Sequence, residues 1–199
     1  MIRIGLTGSI GMGKSTTAKL FTDEAIPVND ADAVVHELYR GRAVQAIAAS
    51  FPEAVVDDVV DREKLSRTLA KNPARFAELE AIIHPLVQAE ERRFIQQQEE
   101  SGADIVVLDI PLLFEVGAQD RVDVIVVVSC DAETQRERVL ARPGMTEEKF
   151  KLILSRQMPD AEKRARADYI VETDHGIDTA RARVRQIIED LRKGTRHHA

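Results

Sequence analysis

The sequence predicts an α/β fold built on a five-stranded parallel sheet. Three apolar runs carry that prediction: "IRIGLT" (residues 2–7), "DIVVLDI" (104–110) and "VDVIVVVS" (122–129). Each is rich in Val and Ile and apolar at nearly every position, as parallel strands covered on both faces tend to be. Helical patterns between them supply the covering layers, so the order of elements is that of a sheet sandwiched by helices.

Taken in order, the first strand runs into "GSIGMGKSTT", and a helix is expected over 14–24. "IPVN" (26–29) is a second, short strand, expected to lie beside the first. About seventy residues without a strong strand follow, more than one crossover needs, and these predict a helical subdomain at about 31–100. Within it Asn72-Pro73 reads as an N-cap and first helical position, and His84-Pro85 as an interruption or kink. The runs at 104–110 and 122–129 come next, then Asp131 as cap of the helix "AETQRERVLAR". "DYIVE" (168–172) completes the sheet. Ile177, Ala180, Val184, Ile187, Ile188 and Leu191 recur at helical spacing before Gly194. The terminal "TRHHA" is polar and is assigned no role.

The chain of 199 residues suits one domain, with 44% hydrophobic and 31% charged residues. No apolar stretch reaches a membrane span, and "MIRIGLTGS" lacks a secretory pattern. A single cysteine, Cys130, fits a reducing cytoplasm. A net charge of −6, 4% aromatic residues and no tryptophan argue against nucleic-acid binding.

Gly8-x-x-x-x-Gly13-Lys14-Ser15 is a phosphate-binding loop, placed after a strand and before a helix as it must be. Glycines let the backbone turn so that N–H groups converge on phosphate oxygens, and the helix adds its positive end. Gly8, Gly11, Met12, Gly13, Lys14, Ser15 and Thr16 are therefore the nucleotide-binding set. Lys14 is expected to supply a point charge for the β- and γ-phosphates, and Ser15 can offer its hydroxyl to Mg²⁺. The loop implies a three-layer, P-loop nucleoside triphosphate hydrolase-like fold. "IVVLD" ends in Asp109, whose carboxylate either helps hold Mg²⁺ or closes the strand as a turn former.

A bound triphosphate can serve a switch, a motor or a kinase. Neither Asn-Lys-x-Asp nor Asp-x-x-Gly, expected of a guanine-nucleotide switch, occurs in the chain, and no further motor motif is present. A small-acceptor kinase remains, which needs an acid to take the acceptor's proton. Asp30 and Asp32 follow the second strand. On spacing alone, Asp32 as base and either residue as a mere helix cap stand level.

Several strings together resemble the dephospho-CoA kinase family from residue 2 to about 192. They are "GLTGSIGMGKSTT", "DADAVVHEL", "IIHPLV", "DIPLLFE", "TQRERVLAR", "RQM" and "ADYIVE". The resemblance implies ATP-dependent phosphorylation of the ribose 3′-hydroxyl of dephospho-CoA, the last step of coenzyme A synthesis. Asp32 would be the general base. Thr7, His84, Leu113 and Glu115 would join Asp32 in receiving the acceptor, with Glu115 an alternative partner for metal-bound water. Gln135, Arg138 and Arg142 match the family's lid motif, and the two arginines, one helical turn apart, would stabilise the transferred phosphoryl group. The lid would span about 138–160, with its mobile part from about Met145 to Asp160. Adenine-side contacts would fall at Glu172–Gly176. His36 stands where many members have arginine, and "VETDHG" where many have asparagine before the glycine.

The expectation is thus one cytoplasmic domain over 1–199, acting as a monomer on a small-molecule acceptor, with ATP and Mg²⁺ and without membrane or nucleic acid. A nucleoside monophosphate kinase is the alternative within the class. A nucleotide-gated RNA- or protein-binding module using the basic stretch from Arg136 to Arg166 is the alternative outside it.

Overall fold

The computed structural model describes residues 1–194, and the terminal "TRHHA" lies outside the described residues. In chain order the first elements are β1 (Ile2–Thr7), α1 (Lys14–Asp23), β2 (Val28–Asp30), α2 (Ala31–Leu38) and α3 (Val44–Ser50). Next come β3 (Val55–Val56), β4 (Val59–Val60), α4 (Arg62–Lys71), α5 (Phe76–Glu100) and β5 (Ile105–Asp109). The chain continues through β6 (Val124–Ser129), α6 (Ala132–Leu140), α7 (Glu147–Leu154), α8 (Asp160–Ala165), β7 (Tyr169–Glu172) and α9 (Ile177–Arg192). Two compact units result among the described residues, one of Met1–Asn29 with the chain from Gln98 onward, the other of Asp30–Gln97.

The first unit carries the five-stranded parallel sheet, ordered β2-β5-β1-β6-β7. Leu6 of the central strand lies opposite Asp109 on one side and Val126 on the other. Ile4, Leu6, Val107, Val126, Val128 and Val171 pack with Phe21 of α1 and with Val184, Ile187 and Leu191 of α9. Val106, Leu108 and Val127, which alternate with them, are fully buried as well. Both faces are therefore covered, which is why the strands read as continuous rather than alternating apolar runs.

One expected adjacency is wrong. β2 does not lie beside β1; β5 sits between them. β2 is only three residues long, and Pro27 before it has no N–H to donate, while its carbonyl accepts from Val107 N–H at 2.9 Å. A short strand entered through proline suits an edge, where one side needs no partner. The doubly covered run of β5 takes the interior place.

The second unit packs Leu38, Val44, Ile47, Phe51, Leu65, Leu69 and Ile83 into its own core. Asp61 caps α4 by accepting from the Glu63 and Lys64 N–H groups, both at 3.0 Å. Two details differ from expectation. Asn72 makes no side-chain cap bond; Pro73–Arg75 form a 3-10 turn, and α5 begins at Phe76. Pro85 does not interrupt α5, which runs through it for 25 residues. The unit also holds an antiparallel β3–β4 hairpin, turned through Asp57 and Asp58 at φ 50° and 58°. Aspartate tolerates that left-handed conformation better than most residues, but "VVDDVV" is too short to stand out as a hairpin.

Candidate active site

The loop between β1 and α1 is shaped by its glycines. Gly11 and Gly13 have φ of 81° and 93°, where a side chain would be strained. Gly8 is needed for a different reason: a Cβ there would stand 2.7 Å from the Val128 carbonyl oxygen, on the neighbouring strand β6. Gly13 occupies the N-cap of α1 without a side-chain cap, and the first turn holds no acidic residue. The donors at that helix end are thus left to a ligand, the arrangement that favours an anion. Lys14 Nζ lies 2.5 Å from Asp109 Oδ1, and Asp109 is only 3% exposed. The parallel register that sets Leu6 opposite Asp109 brings these two sequence-distant motifs together. Ser15 and Thr16 are exposed at the start of α1.

The loop is also held from outside. Ile10 N–H donates to Gln157 Oε1 at 3.1 Å, and Gln135 Nε2 donates to the Ile10 carbonyl at 2.7 Å. Thr173 Oγ1 donates to the Met12 carbonyl at 2.8 Å. Arg138 donates to Thr173 Oγ1 at 2.8 Å and to its carbonyl at 2.7 Å. Met12 Sδ lies 3.4 Å from the buried Cys130 thiol, whose pKa burial pushes up. Arg138 and Arg142 line a cavity of about 420 Å³ with Gly11, Thr16, Thr173 and Ile177.

Three expected acceptor residues of this unit have other partners. The fully buried Thr7 donates through Oγ1 to the Pro111 carbonyl at 3.1 Å. Leu113 is fully buried and fills the space that Gly5 leaves, where a Cβ would stand 2.6 Å from Leu113 Cδ1. Glu115 Oε1 accepts the Met158 N–H at 2.8 Å and lies 2.9 Å from Nζ of the fully buried Lys163. Burial works to raise the Glu115 pKa, but the Lys163 contact and the Met158 N–H outweigh it and hold the carboxyl below its usual value.

In the helical unit, the two aspartates differ in the bonds they make. Asp30 Oδ1 accepts from the Asp32 and Ala33 N–H groups at 2.9 and 3.1 Å, so Asp30 is the cap of α2. Asp32 is exposed, and among the described residues its carboxylate makes no hydrogen bond or ion pair. His84 is exposed on α5. His36 lines a cavity of about 400 Å³ with Tyr39, Arg40, Val60 and Arg62.

Sequence reading assigned no role to Gln157 or Lys163, and named Thr173 only within the Glu172–Gly176 stretch expected to meet adenine. Gln157 was visible in "RQM" and Gln135 in the lid motif, but neither string says which backbone group it holds. The Lys163–Glu115 pair joins residues 48 apart, and a lysine in a short polar helix carries no sign of burial. Among the described residues no group of three or more His, Cys, Asp or Glu forms a metal cluster, and no helix is long and apolar enough to cross a membrane.

Similarity to known proteins agrees with this architecture. A dephospho-CoA kinase from Rhizobium etli is 60% identical over 192 residues, covering 96% of this chain and 95% of the relative. A Thermus thermophilus protein of known structure is 36% identical and superposes with a TM-score of 0.81, covering 96% of this chain and 97% of that one. A shikimate kinase from Bacteroides thetaiotaomicron, 18% identical with a TM-score of 0.50, covers 96% of this chain and 98% of its own, and shares the fold. The family model described as dephospho-CoA kinase matches residues 2–179. By that match and that identity, the chain belongs to the dephospho-CoA kinase family.

Proposed function

We propose that this chain transfers the γ-phosphoryl group of ATP to the ribose 3′-hydroxyl of dephospho-CoA, giving CoA and ADP. The family to which it belongs supports the reaction, and the phosphate loop supports the donor. The observation that carries the choice of a hydroxyl acceptor is the division of labour between two neighbouring acids. Asp30 takes the helix cap and leaves the Asp32 carboxylate without a partner. An uncommitted, exposed carboxylate is what a general base requires.

In the step proposed, Asp32 accepts the proton of the 3′-hydroxyl as that oxygen bonds to the γ-phosphorus. The bond from the γ-phosphorus to the β,γ-bridging oxygen breaks, and ADP leaves. The N–H groups of the loop and Lys14 offset the charge spread over the phosphoryl oxygens, and Arg138 and Arg142 border the cavity beside the loop for the nucleotide. The Asp109 carboxylate and Ser15 hydroxyl fit Mg²⁺, an ion that takes one or two protein oxygens and completes its shell with phosphate and water. Such an ion would supply positive charge to offset that of the triphosphate. The buried Asp109 has Lys14 as its counter-charge, and incoming phosphates compete for that lysine. The reading also takes the protein to act in the cytoplasm as a monomer.

Coupled ADP release with dephospho-CoA and with a panel of nucleoside monophosphates tests the proposal; faster turnover of any monophosphate overturns it. Asp32→Asn is expected to bind ATP as the parent does and to lose about 10²-fold or more in kcat. Parental turnover by that variant would remove Asp32 from the mechanism.

A further inference from the structure

The two peptide planes that flank Ile10 are each held by a glutamine side chain, and the two glutamines use opposite halves of their amides. Gln157 accepts the Ile10 N–H through Oε1, which fixes the plane between Ser9 and Ile10. Gln135 donates from Nε2 to the Ile10 carbonyl, which fixes the plane between Ile10 and Gly11. That second plane carries the Gly11 N–H, one of the donors by which such a loop wraps phosphate. We propose that Gln135 and Gln157 are positioning residues for ATP, setting the orientation of the loop's first donors before the nucleotide arrives.

Both side chains are themselves fixed. Gln135 is 6% exposed and sits on α6, one turn before Arg138. Gln157 lies between α7 and α8, and the next residue is anchored by its Met158 N–H on Glu115 Oε1. Glu115 is in turn pinned by the fully buried Lys163. A relay of contacts thus runs from Lys163 through Glu115 and the Met158 backbone to Gln157 and the phosphate loop. It gives Glu115 work other than meeting an acceptor. Glycines at positions 11 and 13 leave the loop free to adopt many conformations when unheld. Each lost contact therefore returns entropy to the loop, which ATP must then remove on binding.

The inference rests on the proposed kinase reading only for its acceptor; the ATP arm stands independently. Titration with methylanthraniloyl-ATP, which needs no acceptor, measures the affinity directly, and steady-state kinetics give KM for each substrate. Gln157→Leu and Gln135→Leu are each expected to weaken ATP binding about tenfold, the worth of one hydrogen bond to a positioned group. KM for dephospho-CoA should stay within about twofold. The double Leu variant should lose less than the product of the two, because either loss frees the same residue.

The decisive comparison is between glutamates. Gln157→Glu keeps an oxygen to accept the Ile10 N–H, whereas Gln135→Glu turns a carboxylate towards a carbonyl that has lost its donor. Both add the same charge near the loop, so Gln135→Glu should bind ATP about tenfold more weakly than Gln157→Glu. Equal affinities for the two glutamate variants overturn the proposal, as do Leu variants within twofold of the parent. A parallel rise in both KM values with a fall in Tm would reduce the glutamines to structural residues. Should Gln135→Glu fail to fold, Gln157→Leu against Gln157→Glu decides, with only the former weakened if the proposal holds. Parent protein that binds ATP but leaves dephospho-CoA unphosphorylated would refute the kinase reading while the titration still judged the glutamines.

Discussion

Glu115→Gln isolates the energetic role of the buried ion pair. The substitution keeps the side chain's shape and an oxygen for the Met158 N–H, and removes only the charge opposite Lys163. Lys163 is 0% exposed and Glu115 is 16% exposed, with 2.9 Å between Nζ and Oε1. Removing one partner of such a pair leaves a charge in low dielectric and costs about 3–5 kcal/mol. For a chain of this length each kcal/mol moves Tm by about 2–4 °C, so Tm should fall by about 6–20 °C. The assay is thermal unfolding followed by circular dichroism, repeated across pH. In the parent, the folded Glu115 pKa lies below its ordinary 4.5. Its contribution is therefore present above that value and is lost as pH falls through the lower, folded one. Lys163→Met combined with Glu115→Gln should recover most of the loss, since no buried charge then remains. A Tm change under about 2 °C for Glu115→Gln, or a double variant no better than the single, would refute the reasoning.

Two further outcomes follow from positions already described. Asp30→Ala removes the cap of α2 and should cost about 1 kcal/mol; because α2 carries Asp32, kcat should fall while ATP affinity holds. Asp30→Asn, which can still cap, should restore both stability and kcat, and its failure to do so would separate capping from turnover. Gly8→Ala drives a Cβ to 2.7 Å from a backbone oxygen of β6, which cannot swing away as a side-chain end could. Overpacking of that kind costs about 1–3 kcal/mol, and ATP titration should show weakened binding; parental affinity would mean that the loop relaxes elsewhere.

The sheet was legible because its strands are covered on both faces. Val106 and Val107 point to opposite sides and are both fully buried, so the run could not be anything polar. The phosphate loop was legible because its glycines answer to local backbone demands. Strand order was not, since it depends on which strand can serve as an edge, and that turned on the missing N–H of Pro27. The start of α5 was misplaced for a related reason: the proline that favours a first turn there produced a 3-10 turn instead. At the site, motif spacing pointed to Lys14 and Asp109, which the fold brings into an ion pair, and to Arg138 and Arg142, which line one cavity. It could not show that Arg138 spends its guanidinium on Thr173, or that Leu113 faces a glycine in the core, because those contacts cross 35 and 108 positions of sequence.

The edge position of β2 has a consequence for how such enzymes can diversify. The chain leaves the sheet at β2 and re-enters it at β5, the very next strand, and one helix is enough to make that return. α5 already makes it. Everything from α2 to the turn before α5, with the face of α5 that shares its core through Ile83, can therefore vary without re-threading the five-stranded sheet. Kinases for unrelated small molecules could share one nucleotide engine and differ chiefly in what they carry at that single splice.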